Sequence, residues 1–118
     1  NIKDLIVYPG AELPVIEAIK SGAPGCISAT ANLNSKNIGE VIRLSHSGNW
    51  NEAERLHQNV KKVRLLFQDY GPIPAQKAIL AIKTKNDLWN NIRPPLQRIS
   101  KEKADVLAST LKNHLLPD

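Results

Sequence analysis

The apolar positions of this chain begin as blocks and then become periodic. Leu5-Ile6-Val7-Tyr8 is a continuous apolar run stopped by Pro9-Gly10, the pattern of a short strand covered on both faces and ended by a turn. From Ala11 the spacing lengthens. Leu13, Ile16 and Ile19 fall three apart and Lys20-Ser21-Gly22 closes the segment, as in a helix with a glycine stop. Gly25 to Ala31 is a second uncharged run of small and apolar residues, bounded by Pro24 and Asn32, and it reads as a second buried strand. Strand, helix and strand with short connections predict a parallel β-α-β unit. Two parallel strands cannot close a sheet, and such a pair is normally covered on both sides, so the pattern implies neighbours that this sequence does not contain.

Beyond Asn32 the spacing is helical. Asn34 or Ser35 can cap a helix with Ile38, Val41 and Ile42 on one face, and Gly48 can end it in the left-handed conformation. Asn49 with Glu52 three residues on is capping-box-like, and Ala53, Leu56, Val60, Val63 and Phe67 then repeat at three and four until Tyr70-Gly71-Pro72 breaks the segment. Ile73-Pro74 opens another helix carrying Ala75, Ala78, Ile79 and Ile82 on one face. The run Arg93-Pro94-Pro95-Leu96 is an extended connector, because consecutive prolines exclude the helical region. Ser100 then caps a last helix with Ala104, Leu107, Ala108 and Leu111 inward.

Composition narrows the functional classes. Hydrophobic residues make up 42% and charged residues 23% of 118 residues, inside the globular range, so one core is possible and disorder is not indicated. No apolar stretch reaches the roughly 18 residues of a membrane span, and the start lacks a secretory pattern. A soluble, cytoplasmic protein without membrane contact is expected. The formal charge of +5 raises the question of nucleic acid. However, Lys61, Lys62 and Arg64 share a helix with Glu52, Glu54 and Asp69, and aromatics are only 4%, so a solvated face is expected and not a base-stacking platform. Cys26 is the single cysteine and sits in an apolar run, as a packing thiol would. His46, His57 and His114 have no ligand partners at i+3 or i+4, and His57 is read as part of a charged helix face, so no metal site is expected.

Three segments, in order, resemble one family. Tyr8-Pro9-Gly10-Ala11-Glu12, then Gly22-Ala23-Pro24-Gly25-Cys26-Ile27-Ser28-Ala29-Thr30-Ala31-Asn32, then Pro72-Ile73-Pro74 are similar to the last quarter of the barrel in the dihydrodipicolinate synthase/N-acetylneuraminate lyase family of class I pyruvate-dependent aldolases. The middle run is the most specific, resembling the family's Gly-Ala-x-Gly-x-Ile-Ser-x-Thr-Ala-Asn eighth strand. The resemblance implies an α/β fold: the C-terminal part of a TIM (β/α)8 barrel over residues 1–70, with Leu5 to Tyr8 as strand seven, Cys26 to Ala31 as strand eight and Ser35 to Tyr70 as closing helices. Residues 71–118 would form an appended C-terminal helical domain. Strands one to six, upstream of Asn1, would be the missing neighbours.

In that family pyruvate condenses with a lysine on the sixth strand, and the enamine adds to, or is released from, an aldehyde partner. Such a lysine needs a dry pocket that leaves a free amine. Lys3, Lys20, Lys36, Lys61, Lys62, Lys77, Lys83, Lys85, Lys101, Lys103 and Lys112 all fall at helix surfaces, element ends or connectors. The resemblance therefore implies that the catalytic residues lie upstream and that this chain alone is inactive. Two positions carry over, and Glu12 stands beside them as a third substrate-binding candidate. Gly10 matches the glycine facing the aldehyde-derived end, and Ile27 the residue whose carbonyl points to the Schiff-base nitrogen, with filling of the barrel core an equal reading for its side chain; Glu12 stands where members often have a carboxylate, able to meet substrate hydroxyls or to cap the next helix. No cofactor is implied. The partners are pyruvate and an aldehyde or sugar acid, in a homo-oligomer, with the family usually a homotetramer. Ala11 and Glu12 stand where dihydrodipicolinate-forming members carry two aspartates, and Gly71 and Gln76 depart from their Asn-Pro-Ile-Pro-Val-Lys, which leaves condensing, cleaving and dehydrating chemistries open.

A free-standing helical interaction module is the alternative, resting on the stripe from Ala53 to Phe67. Under it the β-α-β segment has no purpose. If the chain folds alone, uncovered strand edges predict self-association between copies.

Overall fold

A computed structural model describes residues 4–115. They form α1 (Val15–Lys20), α2 (Ala31–His46), α3 (Trp50–Asp69), α4 (Pro72–Thr84), a 3-10 turn (Asp87–Asn90) and α5 (Lys101–Leu111). The chain divides into two units, 1–61 and 62–118, with the boundary inside α3.

In the first unit α1 packs on α2. The core is Val15, Ile16, Ile19, Ile38, Val41, Leu44, Ala53 and Val60, with Cys26, Ile42 and Leu56 half-buried against it. The helix expected from Ala11 is shorter, beginning after Pro14, whose fixed φ stands at its N-cap. The expected start of α2 at Asn34 or Ser35 marks a kink instead. The first turn begins at Ala31, and Asn34 interrupts the helix at φ −127° and ψ 27°, its buried Oδ1 accepting a hydrogen bond from Asn37 Nδ2 at 2.8 Å. Gly48, at φ +75°, ends the connection as expected. Asn49 stands at the head of α3 with its carbonyl taking the Ala53 N–H at 3.0 Å. Glu52 does not complete the expected capping box: it is paired with Arg55 one turn on.

The two runs read as strands are not paired as strands among the described residues. A single backbone bond links them, Ile27 N–H to the Pro9 carbonyl at 3.0 Å. Leu5, Ile6, Val7 and Tyr8 are 61, 67, 59 and 48% exposed. This corrects the strand assignment for the chain as it stands. The cause is the shortage already visible in the sequence, since two short parallel segments without further strands or covering layers lack both ladder partners and apolar cover.

In the second unit α4 packs on the 3-10 turn and on α5. Gly71, at φ +82°, turns the chain, and Pro72 and Pro74 occupy the first turn of α4, where their missing N–H groups would have had no helical partner. The first satisfied donor is Ala75 N–H, bonded to the Gly71 carbonyl at 3.0 Å. Ala75, Ala78 and Ile79 are buried as the stripe predicts, but Ile82 is 45% exposed and Ala81 is buried in its place. The packed face of α4 has swung by one residue toward the 3-10 turn, which the sequence reading did not contain. Asn86 Oδ1 starts that turn by accepting Leu88 N–H at 3.1 Å. The double-proline connector bends into a turn closed by Leu96 N–H on the Arg93 carbonyl at 3.1 Å. Ser100 caps α5 as expected, its Oγ accepting Lys103 N–H at 3.3 Å.

Candidate functional site

The three residues singled out from the sequence lie where the two extended segments run into α1 and α2. Gly10 is exposed, and a Cβ placed on it would meet nothing within 4 Å. Its main chain is open to approach. Ile27 is 71% exposed, and its N–H is held by the Pro9 carbonyl, one residue before Gly10. Glu12 is fully buried. Its carboxyl group accepts a close hydrogen bond from Ser28 Oγ–H, and Ser28 Oγ in turn accepts Thr30 N–H at 3.2 Å. Through Ser28 the Glu12 carboxyl group thereby ties the end of one extended segment to the end of the other.

Two members of the cluster were not among the sequence candidates. Ser28 directly follows Ile27, so the alternation of an extended chain turns it to the other side, but nothing in the sequence shows that it meets a carboxyl 16 residues away. His57 is the correction. Read as a surface residue, it is buried at 2% exposure, and its Nε2–H donates to the Glu12 carbonyl at 2.8 Å. The signal was present, because His57 lies four residues after Ala53 and three before Val60, both fully buried, and so falls inside the apolar stripe. Burial pushes the His57 pKa below its ordinary value against the raising effect of the Glu12 carbonyl bond, and Lys61 pushes the same way as burial.

Neither Cys26 nor Lys20 is set up as a nucleophile. The Cys26 thiol is half-buried and its pKa is raised by burial, with Glu12 adding to it, the reverse of a reactive thiolate. Lys3 lies outside the described residues, and no lysine among the described ones is buried. Lys20 has its pKa raised, chiefly by a hydrogen bond to Glu17, whereas an imine-forming lysine needs it lowered. A cleft in the second unit is lined by Lys85, Asp87, Arg98 and Asp105, all exposed and of both signs.

A buried carboxyl, a half-buried hydroxyl and open main chain meet at the ends of two adjacent extended segments, with no buried lysine beside them among the described residues. The model of the dihydrodipicolinate synthetase family matches residues 2–114. The chain belongs to that family. Within it, the 4-hydroxy-tetrahydrodipicolinate synthase of Buchnera aphidicola subsp. Cinara cedri is 31% identical over 109 residues, covering 88% of this chain and 35% of that protein. The corresponding enzyme of Blochmanniella pennsylvanica is 29% identical over 110 residues, covering 92% and 36%. This chain thus spans little more than a third of the length of these relatives.

Solved structures of the family agree. Dihydrodipicolinate synthase from Thermotoga maritima superposes with a TM-score of 0.79 at 25% identity, covering 94% of this chain and 37% of that one. N-acetylneuraminate lyase from Fusobacterium nucleatum, complexed with pyruvate, gives 0.84 at 19% identity, covering 96% and 38%, a likeness of fold alone. These neighbours are TIM-barrel lyases.

Proposed function

We propose that this chain is the C-terminal part of a Schiff-base-forming lyase or synthase that acts on pyruvate and an aldehyde or sugar acid. The observation that carries the reading is the family match across residues 2–114 on a chain whose described lysines are all outside the core. The imine-forming lysine is then upstream, on the sixth barrel strand, and the 118-residue chain is catalytically silent by itself. Residues 1–70 correspond to the end of the barrel and 71–118 to an appended helical domain. That division follows the Tyr70-Gly71-Pro72 break and differs from the division by packing, which falls inside α3.

In the proposed enzyme Gly10 faces the aldehyde-derived end of the substrate and the Ile27 carbonyl points at the imine nitrogen, while Glu12, fully buried and bonded to Ser28, would meet substrate hydroxyls only by leaving that bond. The open main chain at Gly10 and the Pro9–Ile27 bond that sets the Ile27 backbone support these roles. The protein is a cytoplasmic homo-oligomer, a homotetramer by family resemblance. It needs no cofactor, because the amine supplies the electron sink when it condenses with the keto group. A helical interaction module is not favoured, since the family match runs through the extended segments as well as the helices.

The test is borohydride trapping with pyruvate, followed by intact mass, on this chain and on the polypeptide extended upstream through the sixth strand. A reduced pyruvyl adduct on the longer protein alone is expected. An adduct on neither would remove the aldolase chemistry, and an adduct on the short chain would mean that the lysine lies within it.

A further inference from the structure

His57 has no part in the chemistry just described, yet it is the buried titratable group nearest the candidate site. It reaches across 45 residues of sequence to the main chain of Glu12. The Glu12 carbonyl accepts both His57 Nε2–H, at 2.8 Å, and Val15 N–H, at 3.2 Å. One bond thereby fixes the turn from Gly10 into α1, and the Glu12 carboxyl group leaves that turn toward Ser28. Ser28 is fixed in turn by Thr30 N–H at 3.2 Å.

We propose that His57 is a positioning residue for the Gly10–Glu12 side of the site, acting through the Glu12 main chain while imine formation with pyruvate proceeds independently of it. The inference rests on the functional reading above and deepens it, assigning to α3 the control of the end of the site where the aldehyde-derived part of the substrate is placed.

The geometry fixes the protonation state. A ring nitrogen at 2.8 Å from a carbonyl oxygen must carry the hydrogen, so Nε2 is the donor and Nδ1 holds the lone pair. Nδ1 is buried and makes no hydrogen bond. A second proton there would add a buried N–H without a protein acceptor. The charged groups around the ring are Glu12 on the turn and Glu54 and Lys61 on its own helix. His57 is thus a neutral, single-tautomer donor. A glutamine can place an amide N–H near the position of Nε2, and a leucine of similar volume cannot donate at all.

The experiment uses the full-length polypeptide, its His57→Leu and His57→Gln variants, amide hydrogen exchange over residues 9–15, and pyruvate trapping in parallel. In His57→Leu the Val15 amide and its neighbours in the turn are expected to exchange at least about tenfold faster, the ratio that follows from losing one buried hydrogen bond. In His57→Gln exchange returns toward the parent rate, while trapping rates stay within about twofold in both variants, since binding and imine formation occur at the other end. Unchanged exchange in His57→Leu would overturn the proposal. So would faster exchange spread evenly over α1, α2 and α3, or failure of glutamine to restore the turn, because each describes an ordinary core residue. Loss of trapping in His57→Leu would show that imine formation depends on it and would also overturn the proposal. Absence of an adduct in the parent is a separate result: it removes the functional reading, and the exchange data still judge whether His57 holds the turn.

Discussion

Residues 5–8 and the apolar stripe of α3 are built from the same kinds of side chain, and the fold treats them oppositely. Leu5, Ile6 and Val7 are 61, 67 and 59% exposed, whereas Val60, Val63 and Phe67 are fully buried. A helix closes its backbone hydrogen bonds within the segment and needs only a neighbour for its stripe. A buried strand needs ladder partners on both edges and cover on both faces. The helix is therefore complete in this chain, and the strand-like segments are not.

The largest expected effect contrasts the two regions directly. In the isolated chain Phe67→Ala should cost about 3–5 kcal/mol of stability by cavity formation, and Ile27→Ala, at a residue 71% exposed, should stay within about 0.5 kcal/mol. Denaturant titration of both variants checks this, and similar losses would break the comparison. In the longer polypeptide the Ile27 variant should become costly as well.

What was legible in the sequence follows the same division. The extents of α3 and α5 and the breaks at Gly48, Gly71 and Ser100 were readable because caps, stops and three-four spacing are local. The 3-10 turn at Asp87–Asn90 was missed because it is one turn long with no apolar period. The burial of His57 was hidden by Glu54 and Lys61, its charged neighbours at i−3 and i+4, although the stripe passes through it. The Glu12–Ser28 contact joins two segments through folding alone, which no local pattern encodes. Gly10, Glu12 and Ile27 were reached through a family resemblance, and the structure describes their surroundings.

Smaller effects sharpen the contrast. Gly71→Ala should cost about 1–2 kcal/mol, since Gly71 sits at φ +82°, and the loss should appear as a lower Tm. Ser100→Ala should cost about 1 kcal/mol by removing the cap on Lys103 N–H, visible as faster exchange in the first turn of α5. The smallest is a pH effect in the first unit. Burial holds the His57 pKa below its ordinary value, so the unfolded chain takes up a proton that the folded chain refuses. The stability is complete above the unfolded value of about 6.5. It declines as pH falls below that value toward the lower folded pKa. Urea titrations at a series of pH values should show this slope in the parent and not in His57→Gln.

Residues 5–8 and the extended part of 26–31 are proposed to become strands only beside barrel neighbours. Amide hydrogen exchange at Ile6, Val7, Tyr8 and Ile27, measured in this chain and in the polypeptide extended upstream through the sixth strand, tests that claim directly. The account predicts little protection at Ile6, Val7 and Tyr8 in the short chain and strong protection at all four residues in the longer one. Strong protection already present in the short chain, or absent from both, would contradict it.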